Sequence, residues 1–479
     1  MHARGVIWTL AMLSALFGTG MMATSLVAVY YQTGHAYQFL GSGAGVSLAG
    51  LVVMRLTGPA PTQMSHRDGF LVVALAWIVL STLGAVPFWT TGTCHSLVDG
   101  LFESVSGMTT TGATVLTGLD HMPPSILFWR SMQQWLGGMG IIVLAVAVMP
   151  LLGTGGMQLL KAEVPGPVKD KLTARVAETA RALWYVYLGM TGICTLAYWW
   201  AGMGFFDAVN HAMCTVSTGG FSTHDASFGY YSLPRLHMIA SLFMFLAGMN
   251  FALHFAVLRQ GGSLRPYFSD EEVRTYALWA LALVLLTGWL SLVSDGDRWD
   301  MIIFNTISVV STTGFTVSDY SLWPPGATLL LLMAMFVGAC AGSTSGGLKV
   351  IRVLLLFRQG MRELRRLVHP HAVLPVLIGK RRVAPSVTEA LWGFAVLFMA
   401  CYFFIAVLVS LTGVDMITAM SASAACITST GPGFGGVGPA HTYAFLPDPA
   451  KVVLMFGMIL GRLEIYTIFV LLIPEFWRR

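Results

Sequence analysis

Ten long apolar stretches run through this sequence, and they constrain its fold more than any other feature. They begin near Gly5, Ala36, Gly69, Trp129, Ala182, Leu236, Tyr276, Ala327, Leu391 and Val452. A helix needs about 20 apolar residues to cross the hydrocarbon layer of a membrane, and each stretch supplies them. Hydrophobic residues make up 56% of the 479 residues and charged residues only 10%, an apolar excess that a soluble core of this size does not need. The sequence therefore predicts an all-α membrane protein with ten spanning helices.

The basic residues indicate how these helices are oriented. When the helices alternate and the N-terminus is cytoplasmic, most of the 27 Lys and Arg residues lie on the cytoplasmic side, and the C-terminus lies there too. Acids including Asp99, Glu103 and Asp207 then outnumber the cations on the outside, where Arg130 and Lys451 begin inward-running helices. A net negative outer face would concentrate cations, although acids that merely solvate loops explain the same charges.

A block of apolar helix, shorter segment, Thr/Ser-Gly turn, polar loop and apolar helix occurs four times. We call the four turns the central turns; they read TTTGATV at residues 109–115, STGGFST at 217–223, STTGFTV at 311–317 and STGPGFG at 429–435. Aligned on one glycine, their key positions are Gly112, Gly220, Gly314 and Gly433. The predicted organisation is an extra N-terminal helix pair at residues 1–60, followed by repeats at 68–160, 180–260, 275–368 (with a broken inner helix) and 386–479.

The segment before each central turn is too short to cross a bilayer. Asp99, Asp207 and Asp300 lie 13 or 14 residues before the key glycine, and Asp415 lies 18 before it, positions suited to capping a short helix. Such a helix ends at mid-membrane depth, where irregular backbone is tolerated only if it is buried in protein or lines water. The four turns are therefore predicted to surround one aqueous pore.

The residue types in the turns suit a filter for potassium ions. A dehydrated ion needs replacement oxygens, which backbone carbonyls supply most readily, and glycine allows the backbone angles that this requires. Phe221, Phe315 and Phe434 are predicted to stiffen the turns by packing. Potassium is the predicted substrate, and no cofactor or other metal is predicted for this chain. The candidate ion-binding residues are Thr110, Thr111, Gly112, Thr218, Gly219, Gly220, Thr312, Thr313, Gly314, Gly431, Pro432 and Gly433.

Two further segments are candidates for gating. The eighth apolar stretch contains GACAGSTSGG at residues 338–347, a poor helix former, so we predict a broken helix whose loop obstructs the pore or withdraws from it. Close packing through small residues is the alternative. Arg462 is expected to face the pore beneath the filter, with Glu464 as a nearby counter-charge or a purely structural partner. The candidate gating residues are Gly342, Ser343, Thr344, Ser345, Gly346, Gly347 and Arg462.

The central turns, GACAGSTSGGLKVIR at residues 338–352 and GRLEIYTIFVLLIPEFWR at 461–478 resemble the Trk/Ktr/HKT superfamily of potassium transporters, and within it the bacterial Trk uptake subunits. The resemblance covers nearly the whole chain. It implies a gated potassium uptake pathway in the bacterial inner membrane, with the key glycines in a selectivity filter and Arg462 beneath it. It also implies a homodimer and a cytosolic nucleotide-binding regulatory ring of the TrkA type, which would carry the nucleotide. Gly112 implies a preference for potassium over sodium, and Pro432 departs from the pattern.

Other readings of the sequence remain open. A proton- or sodium-coupled potassium symporter needs titratable residues in the membrane, and Arg462 and Glu464 are among the few candidates. An enzyme is suggested only by scattered histidines with no metal-site or triad spacing, so no enzymatic activity is predicted. The basic run from Arg358 to Arg382 is explained by contact with anionic membrane lipid, by an acidic protein partner or by topology alone. Nucleic-acid binding is not expected.

Overall fold

The computed structural model describes residues 2–59, 64–147, 169–292, 298–379 and 381–478. These residues form helices joined by short loops, together with one small antiparallel hairpin, β1 (Leu377–Ile378) and β2 (Arg381–Arg382). The helices are α1 (Ala3–Tyr30), α2 (Ala36–Thr57), α3 (His66–Thr90), α4 (Leu97–Met108), α5 (Pro124–Ala147), α6 (Lys169–Trp200), α7 (Phe205–Val216), α8 (Pro234–Ala247), α9 (Phe251–Arg259), α10 (Arg265–Ser269), α11 (Glu271–Leu292), α12 (Trp299–Val310), α13 (Pro325–Val337), α14 (Val350–Val368), α15 (Pro385–Ser410), α16 (Met416–Ile427), α17 (Asp448–Arg462), α18 (Tyr466–Leu472) and α19 (Pro474–Trp477).

Several of these helices have the length and composition of membrane spans. Within the described residues, α1, α2, α3, α11 and α15 each qualify alone. Two further spans are bent pairs, α8 with α9 at an angle of 94° and α17 with α18 at 109°. Large apolar side chains such as Leu26, Leu196 and Val396 are exposed on these and neighbouring helices, as a lipid-facing surface requires. The molecule is a multi-pass helical membrane protein, as predicted.

The N-terminal helices α1 and α2 form a closely packed pair. A side chain at Gly18 would come within 2.6 Å of the carbonyl oxygen of Gly43, and one at Gly43 would come equally close to that of Gly18. Further along the pair, a side chain at Gly50 would come equally close to the carbonyl oxygen of Ala11. Small residues at such positions let helix backbones approach in lipid. The pair then packs through α1 against α3 and α5.

Four short helices, α4, α7, α12 and α16, lead into the central turns; we call them the half-helices. Each has 12 residues and is buried over most of its length. The predicted aspartate caps are wrong in three repeats, because Asp99, Asp207 and Asp300 lie inside the first helical turn. Asp415 does cap α16, accepting a 3.0 Å hydrogen bond from the backbone N–H of Thr418. Carboxylates at all four positions still face the positive end of the helix dipole.

Each half-helix packs between the helices that precede and follow it in the chain. These groups are α3, α4 and α5; α6, α7 and α8; α11, α12 and α13; and α15, α16 and α17. The same unit therefore occurs four times, after the N-terminal pair. Residues 148–160 of the predicted first repeat lie outside the described residues.

The helix after each central turn differs from repeat to repeat. In the third repeat it is interrupted between Val337 and Val350, where the sequence indicates a break. The second and fourth repeats are also broken, at the two sharp bends, which sequence analysis missed. Asn250 marks the first of these by capping α9, since its side chain accepts a 2.9 Å hydrogen bond from Ala252. The second bend falls where Glu464 and Ile465 both have a φ of 54°.

Candidate ion pathway

The four central turns share one backbone conformation. The second residue after each half-helix has a φ between 51° and 55°, and the glycine two residues later has a φ between 80° and 89°. The residue between them donates its N–H to the carbonyl five residues earlier, at 2.8 to 2.9 Å. The three-residue segments that correspond in this way are Thr110–Thr111–Gly112, Thr218–Gly219–Gly220, Thr312–Thr313–Gly314 and Ser429–Thr430–Gly431.

This correspondence corrects the alignment of the fourth turn. Its glycine is Gly431, with a φ of 89°, and not Gly433. Pro432 follows the glycine and takes the place that Phe221 and Phe315 occupy in their repeats, so it does not interrupt the turn. The sequence alignment was two residues out because it matched Phe434 to those two phenylalanines. Gly433 instead donates its N–H to Val437 beyond the turn, at 2.8 Å.

The turns close into a ring. A side chain on Gly112 would collide with the carbonyl oxygen of Gly219 in the second turn. The same collision joins the second turn to the third, the third to the fourth and the fourth back to the first: Gly220 with Thr313, Gly314 with Thr430, and Gly431 with Thr111. The four turns therefore surround one axis, as expected. Glycine is needed at these positions for its positive φ and for this close approach.

Hydroxyl groups lie at the start of each turn. Thr110 Oγ1 and Ser429 Oγ are buried and find no hydrogen-bond partner among the described residues. Leaving a buried hydroxyl unsatisfied costs about 1–3 kcal/mol, so such groups are expected where a ligand binds. In the other two turns, Thr218 Oγ1 lies 3.2 Å from Thr344 Oγ1, and Thr312 Oγ1 accepts a 2.7 Å hydrogen bond from the N–H of Gly346.

The segment between α13 and α14, residues 338–349, lies against this end of the ring; we call it the intramembrane loop. Thr344 Oγ1 donates a 3.0 Å hydrogen bond to the carbonyl of Val216 at the end of α7. A side chain on Gly346 would collide with the carbonyl oxygen of Thr428 at the end of α16. Together with the bond from Gly346 to Thr312, these contacts attach the loop to the second, third and fourth turns.

The intramembrane loop also contacts the bend of the second repeat and helix α11. The N–H of Cys340 donates to the carbonyl of Gly248 at 2.9 Å, and the N–H of Phe251 donates to the carbonyl of Gly342 at 3.1 Å. Both partners belong to the bend between α8 and α9. The N–H of Ala341 donates to Glu272 Oε1 on α11 at 2.6 Å. The bend in the second repeat is therefore a docking point for the loop of the third.

Arg462, which belongs to the fourth repeat, anchors the intramembrane loop. Its guanidinium donates to the carbonyl of Thr344 at 2.7 Å and is buried, with 3% of the residue exposed. The predicted pairing with Glu464 is wrong, since the carboxylate of Glu464 lies 2.5 Å from Arg352 at the start of α14. The positive φ values at the bend after Arg462 direct the two side chains to different partners. Lys349 Nζ adds a second positive charge to the loop by donating to the carbonyl of Ser345.

A buried ion pair supports the first two turns from behind. Arg130 on α5 lies 2.7 Å from Glu103 on α4, and at most 1% of either side chain is exposed. Glu103 also accepts the N–H of Val115, whereas Arg130 donates to the carbonyl of Ser222 and lies 4.2 Å from the ring centre of Phe221. Both charges were expected on the outer face. Since Glu103 is buried and paired, it does not contribute to a negative vestibule.

A histidine links the first two repeats at the other end of the ring. His224 Nδ1 lies 2.6 Å from Asp120, its Nε2 lies 3.4 Å from Asp207, and its ring stacks on Tyr230 at 3.6 Å. Burial lowers the pKa of His224, but the two carboxylates outweigh this effect and the pKa is raised. The hydrogen bond from His224 lowers the pKa of Asp120. A protonated His224 therefore stabilises the contact between these two loops.

Four half-helices ending in a closed ring of glycine turns, with a polar loop docked beneath it, define a membrane transport protein of the pore-loop class. A family model described as TrkH, cation transport protein, matches residues 48–479, and the chain belongs to that family. The predicted resemblance to the Trk superfamily is thus confirmed.

Full-length relatives and a solved structure agree with this assignment. The chain is 44% identical to the Trk system potassium uptake protein TrkH of Vibrio parahaemolyticus over 491 residues and 42% identical to that of Escherichia coli K12 over 485 residues, with all of each chain covered. The crystal structure of the potassium transporter TrkH from Vibrio parahaemolyticus matches with a TM-score of 0.92 and 41% identity, over all of both chains.

Proposed function

We propose that this chain is a gated pathway for potassium uptake across the inner membrane of a bacterium. Its relatives are named potassium uptake proteins. The observation that carries the proposal is the closed ring, in which the glycine of each turn faces a carbonyl oxygen of the next turn. A ring of main-chain oxygens around one axis is the arrangement that replaces the hydration shell of a potassium ion.

The ring is proposed to act as the selectivity filter. The carbonyls of Thr111, Gly219, Thr313 and Thr430 form one level of ion ligands, and the free hydroxyls of Thr110 and Ser429 add ligands at the start of the turns. Each half-helix directs its C-terminal end, with a partial negative charge of about half an elementary unit, towards the axis. A membrane potential supplies about 2.3 kcal/mol per charge per 100 mV, which is sufficient to drive uptake without a coupled ion.

The intramembrane loop is proposed to be the gate. It attaches to three of the four turns, and Arg462 holds it in place while adding a buried positive charge beneath the filter. Opening then requires two hydrogen bonds to break: the one from Gly346 to Thr312, and the one from Thr344 to the carbonyl of Val216. Small residues such as Gly346 and Ser345 make this movement possible at low steric cost.

The coupled symporter is the weaker alternative. Coupling to protons needs a carboxylate or histidine near the ion path that gains and loses a proton in each cycle. Glu103, beside the first turn, is engaged by Arg130, Thr114 and the N–H of Val115. A passive pathway fits this arrangement better, and we propose no enzymatic activity.

The proposed assembly is a homodimer with both chain ends in the cytoplasm, regulated by a nucleotide-binding ring of the TrkA type. Helix α14 supports a protein partner on that side, because it exposes apolar side chains at helical spacing beside its arginines. The exposed members are Phe357, Met361, Leu364, Leu367 and Val368. Anionic lipid is the second proposed contact of this basic surface.

Flux measurements in proteoliposomes test the proposed function. Purified protein should admit labelled rubidium when a potassium gradient makes the interior negative, and external potassium should compete more strongly than sodium. The reversal potential should follow the potassium gradient and stay constant when a proton gradient is added. A shift with the proton gradient, or sodium flux in a fixed ratio to potassium flux, would favour the symporter, and a protein that is folded but admits no rubidium would refute transport.

A further inference from the structure

The second central turn lacks a hydroxyl that the other three possess. Its middle residue is Gly219, where the other turns have threonine. Each of those threonines bonds to the hydroxyl two residues before it, at 2.7 to 2.9 Å: Thr111 with Thr109, Thr313 with Ser311, and Thr430 with Thr428. In the second turn, Ser217 donates to the carbonyl of Cys214 at 3.2 Å, as Ser311 also does to that of Ser308, but Gly219 offers it no hydroxyl two residues later. The second turn therefore lacks the internal support of the others.

Gln134, on α5 of the first repeat, occupies the vacant place. A side chain on Gly219 would overlap the terminal amide of Gln134, which is itself fully buried. Gln134 Nε2 donates to the carbonyl oxygen of Gly219 at 2.6 Å, and Gln134 Oε1 accepts the N–H of Phe221 at 3.0 Å. Because the N–H of Phe221 is a donor, the oxygen of the amide must face it. The nitrogen must therefore face the Gly219 carbonyl.

We propose that Gln134 is a specificity-determining residue for ion selection, an inference that rests on the proposed function. The carbonyl oxygen of Gly219 is the one that meets Gly112 of the first turn in the closed ring, and it is this oxygen that Gln134 binds. A carbonyl that accepts a hydrogen bond is held in one orientation and offers less negative charge to an ion. Gln134 thus sets the position and strength of one ligand in four, so the filter is built as three equivalent turns and one that differs.

A substitution of Gln134 by a residue of similar volume separates a role in ion selection from a purely structural role. If Gln134 only fills space, Gln134→Met should leave ion discrimination intact, because methionine has a similar volume. If the hydrogen bonds matter, the same variant should let the second turn relax, so that the ring adapts more easily to the smaller sodium ion. Discrimination of potassium over sodium should then fall by about threefold to tenfold, the factor that a hydrogen bond of this kind contributes.

Gln133 is the matched control. It is equally buried on the same helix, but it donates to the carbonyl of Gly84 at 2.9 Å and to Ser104 at 3.0 Å, and its amide nitrogen makes no bond to a central turn. Gln133→Met should lower thermal stability by an amount similar to Gln134→Met, and it should leave the ratio of potassium to sodium flux unchanged.

A rescue experiment completes the test. The φ of Gly219 is not positive, so threonine can adopt its backbone conformation. Gly219→Thr alone should lose flux because its side chain meets Gln134. Gln134→Ala with Gly219→Thr removes that collision and gives the second turn the threonine of the other three, so it should regain flux and much of the discrimination.

Reversal potentials in mixed potassium and sodium, with labelled rubidium flux in the same proteoliposomes, give the readout. Unchanged selectivity in a folded Gln134→Met protein would overturn the proposal. If that variant does not fold, a double variant that conducts no better than Gly219→Thr alone would overturn it instead. Absence of flux in the unmodified protein would refute the proposed function, whereas normal flux with unaltered selectivity in Gln134→Met refutes only this inference.

Discussion

The four central turns share one backbone conformation, whereas the segments beneath them differ from repeat to repeat. The four turns repeat the same φ values and the same backbone hydrogen bond, although their sequences differ. Below them, one helix is unbroken in its described part, two are sharply bent, and one is interrupted by the intramembrane loop. A ring of ligands works only if all its members meet at one axis, whereas a gate needs only one member that moves.

The contacts within the ring are repeated, and those of the segments beneath it are not. Each turn touches the next through a glycine, so a change in one turn is transmitted around the ring. The broken segments instead touch unlike partners: the loop of the third repeat rests on the bend of the second and is bound by Arg462 of the fourth. Since these contacts are not repeated, the loop can move without a matching movement in the other three repeats.

The largest effect is expected from altering one member of the ring. Gly431→Ala should abolish most potassium flux, because it places a side chain 2.5 Å from the carbonyl of Thr111 and forces a positive φ on alanine. Backbone strain of this kind alone costs on the order of 1–3 kcal/mol. Rubidium flux and sodium competition in proteoliposomes provide the measurement.

Gly433→Ala is the matched variant, two residues away in the same loop. Its φ is not positive, and its side chain would meet Ser421 and Val437 at 3.0 Å, outside the ring. It should therefore keep a larger fraction of flux and normal ion discrimination. A larger loss of selectivity in Gly433→Ala than in Gly431→Ala would mean that the fourth turn is wrongly assigned.

A smaller effect is expected from loosening the intramembrane loop. Gly346→Ala would force the loop away from the carbonyl of Thr428, so the bond from Gly346 to Thr312 should weaken and basal rubidium flux should rise. Selectivity should not change, because the ring is intact. Gly360→Ala on α14 is the control, since open space surrounds that glycine and its basal flux should equal that of the unmodified protein. Reduced flux in a folded Gly346→Ala protein would contradict a gating role for the loop.

Much of the fold was predictable because it depends on local composition and on repetition. The apolar stretches and the four short segments before glycine turns predict a helical membrane protein of four units with an extra N-terminal pair. Ten spans are predicted, and within the described residues five helices, or seven spans with the two bent pairs, have the length and composition of a span. The fourth turn was misaligned because matching phenylalanines gave the wrong register. The conformation depends on distance from the end of the half-helix, and Ile427 ends α16 four residues before Gly431, as Met108 ends α4 four residues before Gly112.

The supporting contacts were not predictable, because their partners are far apart in the sequence. Arg130 and Glu103 are separated by 27 residues, Gln134 and Gly219 by 85, and Arg352 and Glu464 by 112. In the corrected register, Gly219 is the only middle residue of a central turn that is not threonine, which indicates that something else must fill its place. The sequence alignment hid this signal, because it put Pro432 in the middle of the fourth turn. The identity of that residue follows only from the packing of α5.

The smallest effect is expected at the other end of the ring, where His224 joins the loops of the first two repeats. A raised pKa means that protonated His224 contributes its stability in full below its ordinary pKa of about 6.5, and that this stability is lost as pH rises through the raised value. The free energy of unfolding should thus fall between about pH 6 and about pH 9 by more in the unmodified protein than in His224→Gln, with a difference of at most about 1 kcal/mol because Asp120 is partly exposed. Melting temperatures at the two pH values provide the measurement. His441→Gln, at an exposed histidine of the fourth repeat, should retain the full pH dependence. Equal pH dependence in the His224→Gln and unmodified proteins would show that this link contributes nothing, whereas a change in ion selectivity would show that the ring depends on contacts peculiar to two repeats.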